Sequence, residues 1–188
     1  MYPKESLDII SKMMNDTRLN VMRNACVPLL VWGWISFGVS LIVYLGHILT
    51  GNPGWDFAWF LIPAVGVPVL RYSRPVNKGM PTAISRSLTT IWKMFTVLIV
   101  VFSISSFVIP FNALAVILLI LAIGSFITGE LIRYPFLKYS SIPGFILAAT
   151  MWALPGLTEI PVFGIAMLIM MVLPAYKIKQ ELRRLSNE

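Results

Sequence analysis

The longest charge-free stretch of the chain runs from Met94 to Gly129, 36 residues without a formal charge. One α-helix of that length would be about 54 Å long, whereas the hydrocarbon core of a bilayer is about 30 Å thick. Pro110 and Asn112 lie near its middle and favour a turn. The stretch therefore predicts two membrane spans joined by a tight hairpin.

The composition of the whole chain supports a membrane protein. Only 12% of its 188 residues are charged, 57% are hydrophobic, and the mean hydropathy is +0.81. A soluble domain usually carries about 25% charged residues, which it needs for a polar surface. The length suits one domain in which six spans of about 20 residues use most of the chain.

The other apolar stretches predict an all-α, polytopic membrane protein with six transmembrane helices in three short-loop hairpins. The second span is the weakest, because only 14 residues separate Asp56 from Arg71 and Pro63, Gly66 and Pro68 interrupt it. A re-entrant second span is the alternative. The predicted spans are residues 26–49, 55–70, 88–108, 111–132, 139–157 and 160–176.

The two ends of the chain are more polar. Residues 1–24 have apolar side chains at helical spacing on one face and polar ones on the other, which predicts an amphipathic helix ahead of the spans. It would lie on the membrane surface, pack beneath the bundle or bind a partner protein. Residues 177–188 form a basic tail that continues the last span.

The distribution of basic residues predicts the orientation. With six spans, all 15 Lys and Arg residues fall on the side that holds both termini, whereas the other side carries His47, Asp56 and Glu159. The positive-inside rule therefore places both termini in the cytoplasm. The net charge of +7 then indicates attraction to anionic lipid at that face, and nucleic-acid binding is not expected. Whether the chain forms homo-oligomers stays open.

Two constellations are candidates for chemistry. Lys93 and Glu130 lie at similar distances from the hairpin turn, so they predict an intramembrane ion pair that Arg133 shares. Such a pair would gate a pathway, relay protons or simply fix helix packing. On the other side, His47, Asp56 and Glu159 are weak candidates for a metal or a proton path, against the simpler interpretation of stray acids on short turns.

Enzymatic activity is not expected. The chain has one histidine, one cysteine, no HExxH motif and no glycine-rich phosphate loop. Cys26 is read as a small buried hydrophobic residue. The sequence predicts no catalytic residue and no cofactor.

Four stretches stand out along the chain: Val31–Trp34, Leu61–Pro63 with Gly66 and Pro68, Gly124–Gly129, and Leu173–Tyr176. In order and spacing they resemble a family of small bacterial inner-membrane proteins without an assigned activity. The resemblance covers nearly the whole chain and implies a short cytoplasmic helix ahead of six spans, in a bacterial inner membrane. The chain departs from the family pattern at Pro174-Ala175, where proline-glycine is expected. The resemblance implies no site residues.

Two functions remain. The first is a non-enzymatic membrane protein that senses, anchors or regulates a partner through residues 1–24. The alternative is a transporter or channel for a small solute or ion, with a substrate site at the helix break formed by Pro63, Gly66 and Pro68, because broken helices often bind substrate in transporters.

Overall fold

The computed structural model describes residues 3–73, 83–154 and 156–185, with side chains from residue 19 to residue 184. It is about 90% helical and has no strand in this part of the chain. The α-helices are α1 Pro3–Thr50, α2 Leu61–Ser73, α3 Ala83–Ser105, α4 Ala113–Leu131, α5 Pro135–Ser140, α6 Ile142–Met151, α7 Glu159–Met167 and α8 Leu173–Leu185. Two 3₁₀ helices, Pro53–Phe60 and Gly156–Thr158, and a π-helical segment, Leu168–Val172, complete the described elements.

Five helical segments within the described residues are long and apolar enough to cross a membrane, which fits an all-α membrane protein. They are Leu19–Thr50, Pro53–Ser73, Ala83–Ser105, Ala113–Leu131 and Gly156–Arg184. Five of the six predicted spans therefore have a matching segment. The remaining one, residues 139–157, corresponds to the two short helices α5 and α6.

α1 is one continuous helix of 48 residues, or about 72 Å at 1.5 Å per residue. The sequence predicted a separate amphipathic helix over residues 1–24, but no helix boundary lies there. Val21, Met22, Cys26 and Leu29 are buried and form one stripe across the predicted boundary. The same packing surface therefore continues from the predicted helix into the first span.

α1 runs antiparallel to α7 and α8. The backbones approach so closely that a Cβ atom added to Gly33 would lie 2.6 Å from Val172 Cγ2. Farther along α1, Ser40 meets Gly164, where an added Cβ would lie 3.0 Å from the serine Cβ. Small residues at these crossings let two helices approach within van der Waals contact, the usual source of helix association in lipid.

α5 and α6 together run antiparallel to α4. The C-terminal end of α4 contacts the backbone of α5. The approach is so close that a Cβ atom added to Gly129 would lie 2.5 Å from Lys138 N. At the start of α4, Asn112 Nδ2 donates a hydrogen bond to Met151 O at the end of α6 over 3.0 Å. The break between α5 and α6 falls two residues before Pro143, whose ring nitrogen cannot donate to a preceding turn.

The last span contains a π-helical segment, Leu168–Val172, that ends just before Pro174. In a regular α-helix the proline ring would clash with the carbonyl four residues earlier, that of Met170. A wider turn at this point relieves the clash. Met170 and Pro174 are both fully buried, so the irregular segment lies in the packed interior.

The core lies between α1, α4, α5, α6, α7 and α8, while α2 and α3 flank it. α2 packs on α1, where Trp32 lies against Gly66, and α3 packs on α4, where Phe95 and Trp92 lie against Gly124. The largest fully buried apolar side chains of the described part are Val43, Leu118, Leu137, Met151, Met167, Met170, Met171 and Ile178.

Candidate functional site at the basic end of the bundle

The helices bring polar side chains together at two opposite ends of the bundle. The part of α8 from Lys177 to Leu185 is called the α8 extension. The basic end is formed by the α4–α5 turn and the start of the α8 extension, with Arg133, Lys138 and Lys177. The opposite end is formed by the end of α1, the first 3₁₀ helix and the α6–α7 turn, with His47 and Glu159. The grouping follows from the antiparallel packing of α1, α4, α5–α6 and α7–α8.

At the opposite end, the structure joins two of the three predicted metal candidates. His47 Nε2 lies 3.4 Å from Asp56 Oδ1, and His47 Nδ1 lies 2.9 Å from Val43 O. A carbonyl oxygen only accepts hydrogen bonds, so Nδ1 donates to Val43 O. The other ring nitrogen, Nε2, faces the Asp56 carboxylate and holds the end of α1 beside the first 3₁₀ helix.

Glu159 does not join that pair. Its hydrogen-bond partner is the side chain of Asn112, which also caps α4 by accepting from Ala115 N over 2.9 Å. Among the residues that the structure describes, no three His, Cys, Asp or Glu side chains form a group that would hold a metal ion. The trio of His47, Asp56 and Glu159 thus does not assemble, because Glu159 belongs to the contact between α4 and α7.

The basic end is built on an unusual helix terminus. Arg133 has φ 54°, in the left-handed region. The Arg133 N–H donates to Glu130 O over 3.1 Å, and the Tyr134 N–H donates to Gly129 O over 2.9 Å. These two bonds make a Schellman motif, in which glycine normally occupies the left-handed position. An arginine there costs about 1 kcal/mol of backbone strain.

Glu130 pairs with Lys138 of α5, not with the predicted partner Lys93. The distance from Lys138 Nζ to Glu130 Oε2 is 2.7 Å. Trp92 explains the difference, because it faces α4 and donates to Thr128 Oγ1 over 3.2 Å. The next residue of a helix is rotated by about 100°, so Lys93 is turned away from α4 and is exposed.

The hydrogen bond that Lys138 donates to Glu130 stabilises the charged ammonium and raises the pKa of Lys138. Arg133, the third member of the predicted group, lies in the same turn and is exposed. A shallow depression of about 330 Å³ covers the turn and is lined by Glu130, Arg133, Tyr134, Lys138 and Tyr139. We call it the turn depression. Its donors and its acceptor suit a small polar or anionic group.

The α8 extension is fastened to this turn. The Tyr134 hydroxyl donates to Glu181 Oε1 over 3.1 Å, and Lys177 Nζ lies 3.7 Å from the centroid of the Phe136 ring. Burial raises the pKa of the Tyr134 hydroxyl, and the Glu181 carboxylate raises it further. Ile178 is fully buried. The basic tail predicted at residues 177–188 is thus helical to Leu185 and packed, and residues 186–188 lie outside the described part.

The helix break of the second span is covered at Gly66, whereas Pro68 lines an open depression of about 300 Å³ together with Val67, Arg71 and Tyr72. A 3₁₀ helix changes into α2 between Phe60 and Leu61, with Pro63 in the first turn of α2 and Pro68 inside it. Gly66 is buried beneath the Trp32 ring, where an added Cβ would lie 2.6 Å from Cζ3. The space that a small residue creates here is filled by a tryptophan of α1.

Sequence reasoning missed the partners of Glu130 and Glu181. Glu130 and Lys138 are eight positions apart on either side of a turn, and no helical spacing rule connects residues across a turn. Tyr134 and Glu181 are 47 positions apart. The one available signal was Tyr134-Pro135, which marks the start of a new helix after a basic turn.

A scan against protein-family models and searches of curated proteins and of solved structures found no match to this chain. The resemblance to the six-helix bacterial family stays a prediction.

Proposed function

We propose that the chain is a six-span protein of a bacterial cytoplasmic membrane that acts by binding a partner protein through its cytoplasmic helices, without catalysing a reaction. One observation carries the proposal, the length of α1. At about 72 Å, this helix of 48 residues exceeds the hydrocarbon core, about 30 Å thick, by more than twofold. More than twenty of its residues therefore project from the membrane as a helix continuous with the first span.

The proposal of six spans rests on α5 and α6. Together with Ser141 between them, they cover 17 residues from Pro135 to Met151, a length of about 26 Å at helical rise. The N-terminal end of α5 lies near Glu181, because Tyr134, which precedes the helix, donates a hydrogen bond to that carboxylate. The C-terminal end of α6 lies beside Asn112, which donates to Met151 O. The pair thus runs between the same two ends as α4 does, although neither short helix alone is long enough for a span.

The proposed orientation puts the basic end in the cytoplasm, because all 15 Lys and Arg residues then face that side. Both termini lie there as well. The projecting part of α1 and the α8 extension are then cytoplasmic and available to a protein partner. Sensing, anchoring and regulation are all compatible with this arrangement.

The packed interior supports an interaction protein over a transporter. The buried polar residues of the described part are four serines and one threonine, and the other buried side chains are hydrophobic. Met170 occupies the gap opposite Gly144, where a Cβ would touch its sulfur. A solute path needs polar or water-lined groups near the midplane, and this core is lined by methionine and leucine.

Site-specific crosslinking tests the partner. A photoreactive residue is placed in the full-length protein at Asn20, which is exposed on the projecting part of α1, and as a control at Trp34, which is exposed farther along the same helix. Irradiation of intact membranes should give one discrete protein adduct from position 20 and none from position 34. The same partner should be lost on deletion of residues 3–18. Identical adducts from both positions, or none from position 20, would contradict the proposal.

Cysteine accessibility tests the topology. The only cysteine, Cys26, is buried and can be replaced by alanine, so introduced cysteines report alone. Tyr139→Cys and Arg184→Cys should react only after the inner face is opened, whereas Val108→Cys should react with an impermeant reagent from outside. Labelling of Arg184→Cys and Tyr139→Cys from opposite faces would mean that α5 and α6 do not cross.

Transport is the second candidate, and the irregular helices favour it. The 3₁₀-to-α change at Phe60–Leu61 and the π-helical segment Leu168–Val172 are interruptions of the kind found at functional sites. Reconstituted protein would then carry protons or small solutes into liposomes. Trp32→Ala should speed such flux by uncovering Gly66, and flux no greater than that of empty liposomes would remove this candidate.

A further inference from the structure

We propose that the turn depression binds the phosphate of an anionic membrane phospholipid, and that Arg133 and Lys138 hold the phosphate. The proposal depends on the proposed function only for the leaflet, which is cytoplasmic if the basic end faces the cytoplasm. It adds a ligand site on the α4–α5 turn, beside the α8 extension.

The charges of the depression fit one phosphodiester. Arg133 and Lys138 are basic and Glu130 is acidic, so the side chains that line the depression include one more base than acid, which favours a ligand with a net negative charge. Glu130 holds one of the three donors of the Lys138 ammonium at 2.7 Å, so the ammonium keeps donors for a ligand. The guanidinium of arginine presents a planar fork of donors that matches a phosphate.

The backbone of Arg133 supports a role for its side chain. This residue occupies the left-handed position of the Schellman motif, where glycine would be free of strain. Strained non-glycine residues are found mainly at functional sites. An arginine also interacts favourably with the carbonyl end of α4, so the experiment below separates a ligand role from a helix-end role.

A lipid, and not a soluble phosphate, is favoured by the surface beside the depression. Ser141, which joins α5 to α6, keeps right-handed helical backbone angles (φ −79°, ψ −21°). Tyr139, Ile142 and Ile146, spaced three and four residues apart, therefore lie on about the same side of the two helices. All three are exposed, at 61%, 42% and 59%. Tyrosine prefers the headgroup level, and the isoleucines continue toward the membrane interior, as an acyl chain would. The turn depression thus offers a surface for the headgroup, and the adjacent apolar face offers a surface for an acyl chain.

The size of the depression is compatible with a headgroup. Its volume of about 330 Å³ falls at the lower end of the range of about 300–1,000 Å³ typical of small-molecule sites. Tyr134 forms its floor, because it is buried and its hydroxyl is already held by Glu181. The floor is therefore fixed before a ligand binds.

Lipid retention by the full-length protein tests the site. Detergent-solubilised protein is titrated with phosphatidylglycerol, and the bound fraction is measured by native mass spectrometry. We expect Arg133→Gly and Lys138→Gln each to weaken binding about tenfold, as loss of a charged hydrogen bond would. Lys93→Gln is the matched control, since it removes an exposed lysine outside the depression, and it should bind as the wild type does.

Two further measurements separate the competing explanations. Phosphatidylcholine, which has no net charge, should bind about tenfold more weakly than phosphatidylglycerol at a site with one more base than acid. Glycerol 3-phosphate should compete poorly because it lacks acyl chains. Equal binding of both lipids, or full competition by glycerol 3-phosphate, would overturn the lipid assignment.

The thermal stability of Arg133→Gly without lipid identifies a purely structural arginine. Glycine suits the left-handed position, so this variant should be at least as stable as the wild type. If it is less stable and still binds phosphatidylglycerol normally, the arginine serves only the helix end and the proposal is wrong. These results do not depend on crosslinking or on cysteine labelling, so the partner and the topology are judged separately.

Discussion

α3 and α4 are neighbours in the chain and are both strongly apolar, yet they occupy different environments. The most apolar 18-residue segment of α3 has a mean hydropathy of 1.8, and that of α4 has a mean hydropathy of 2.3. Only 6% of the α3 segment is buried inside the protein, whereas 50% of the α4 segment is buried. The second-span segment, Pro53–Ser73, resembles α3, with 11% buried. Hydropathy thus identifies a membrane-spanning helix but does not predict whether lipid or protein surrounds it.

The difference between the core and the flanking helices lies in where small residues meet large ones. α4 carries Gly124 and Gly129, and each accommodates a neighbour that a Cβ atom would displace. α3 supplies the large partners Trp92 and Phe95 on one face and exposes apolar side chains elsewhere. Lipid chains are as apolar as leucine, so close packing decides which helices form the core.

Removing a core methionine should produce the largest effect. Met170 is fully buried against Gly144, whereas Val97 of α3 is 62% exposed. Met170→Ala should lower the free energy of unfolding by about 3 kcal/mol because it leaves a cavity. Val97→Ala should change it by less than about 0.5 kcal/mol. Unfolding by sodium dodecyl sulfate in mixed micelles measures both, and equal losses would mean that α3 is buried by another protein surface.

Adding a methyl group at a close crossing should have the next largest effect. Gly129→Ala places a Cβ against the backbone of Lys138, and backbone cannot move aside. We expect a net loss of about 2 kcal/mol, since overpacking outweighs the higher helix propensity of alanine.

Gly38 provides the control for that substitution. It lies in α1, another core helix, and an added Cβ meets nothing within 4 Å. Gly38→Ala should therefore raise the free energy of unfolding, by up to about 1 kcal/mol. A loss at Gly38 as large as that at Gly129 would show that helix flexibility, and not close packing, distinguishes the core.

A smaller effect is expected where the α8 extension meets the α4–α5 turn. Tyr134→Phe removes the hydrogen bond to Glu181 and should cost about 1.5 kcal/mol, because the acceptor is a carboxylate. Burial raises the pKa of Tyr134, so the stability that its neutral form contributes is complete below the ordinary tyrosine pKa, about 10, and is lost as pH rises above it. The wild type should lose stability at high pH more steeply than the variant, and parallel pH profiles would argue against this contact.

The smallest effect should appear at the opposite end of the bundle. His47 Nδ1 lies 2.9 Å from Val43 O, and Nε2 lies 3.4 Å from Asp56 Oδ1. Asp56→Asn should cost less than about 1 kcal/mol because Asp56 is largely exposed. Differential scanning calorimetry of the wild type and the variant measures the difference. A loss as large as that expected for Gly129→Ala would contradict a weak, exposed contact.

Local sequence patterns predicted much of the fold. The charge-free stretch from Met94 to Gly129 predicted a hairpin, and α3 and α4 are separated by a turn that contains Pro110 and Asn112. The helix boundaries differ where packing continues past an apolar stretch, as at the buried Ile178 of α8. The division of α1 at residue 24 was expected from polarity, but the helix continues through that residue and through Pro28. The buried stripe of Val21, Met22, Cys26 and Leu29 crosses the expected boundary.

The candidate site was only partly predictable. Glu130 and Arg133 stood out as charged residues near a span, and both line the turn depression. Lys93 was assigned to Glu130 from distance along the chain, which says nothing about the direction in which a side chain leaves its helix. The Schellman turn set that geometry by bringing Lys138 back onto α4.

The sequence by itself determined that the chain forms long apolar helices, because the cost of burying charge in lipid acts on each segment separately. It also determined the turns and the asymmetry of Lys and Arg. Only the tertiary structure decided which helices form the core, which side chain fills each glycine gap and which lysine meets Glu130. Those outcomes depend on shape at contacts between distant residues, where lipid and protein are equally apolar and composition gives no preference.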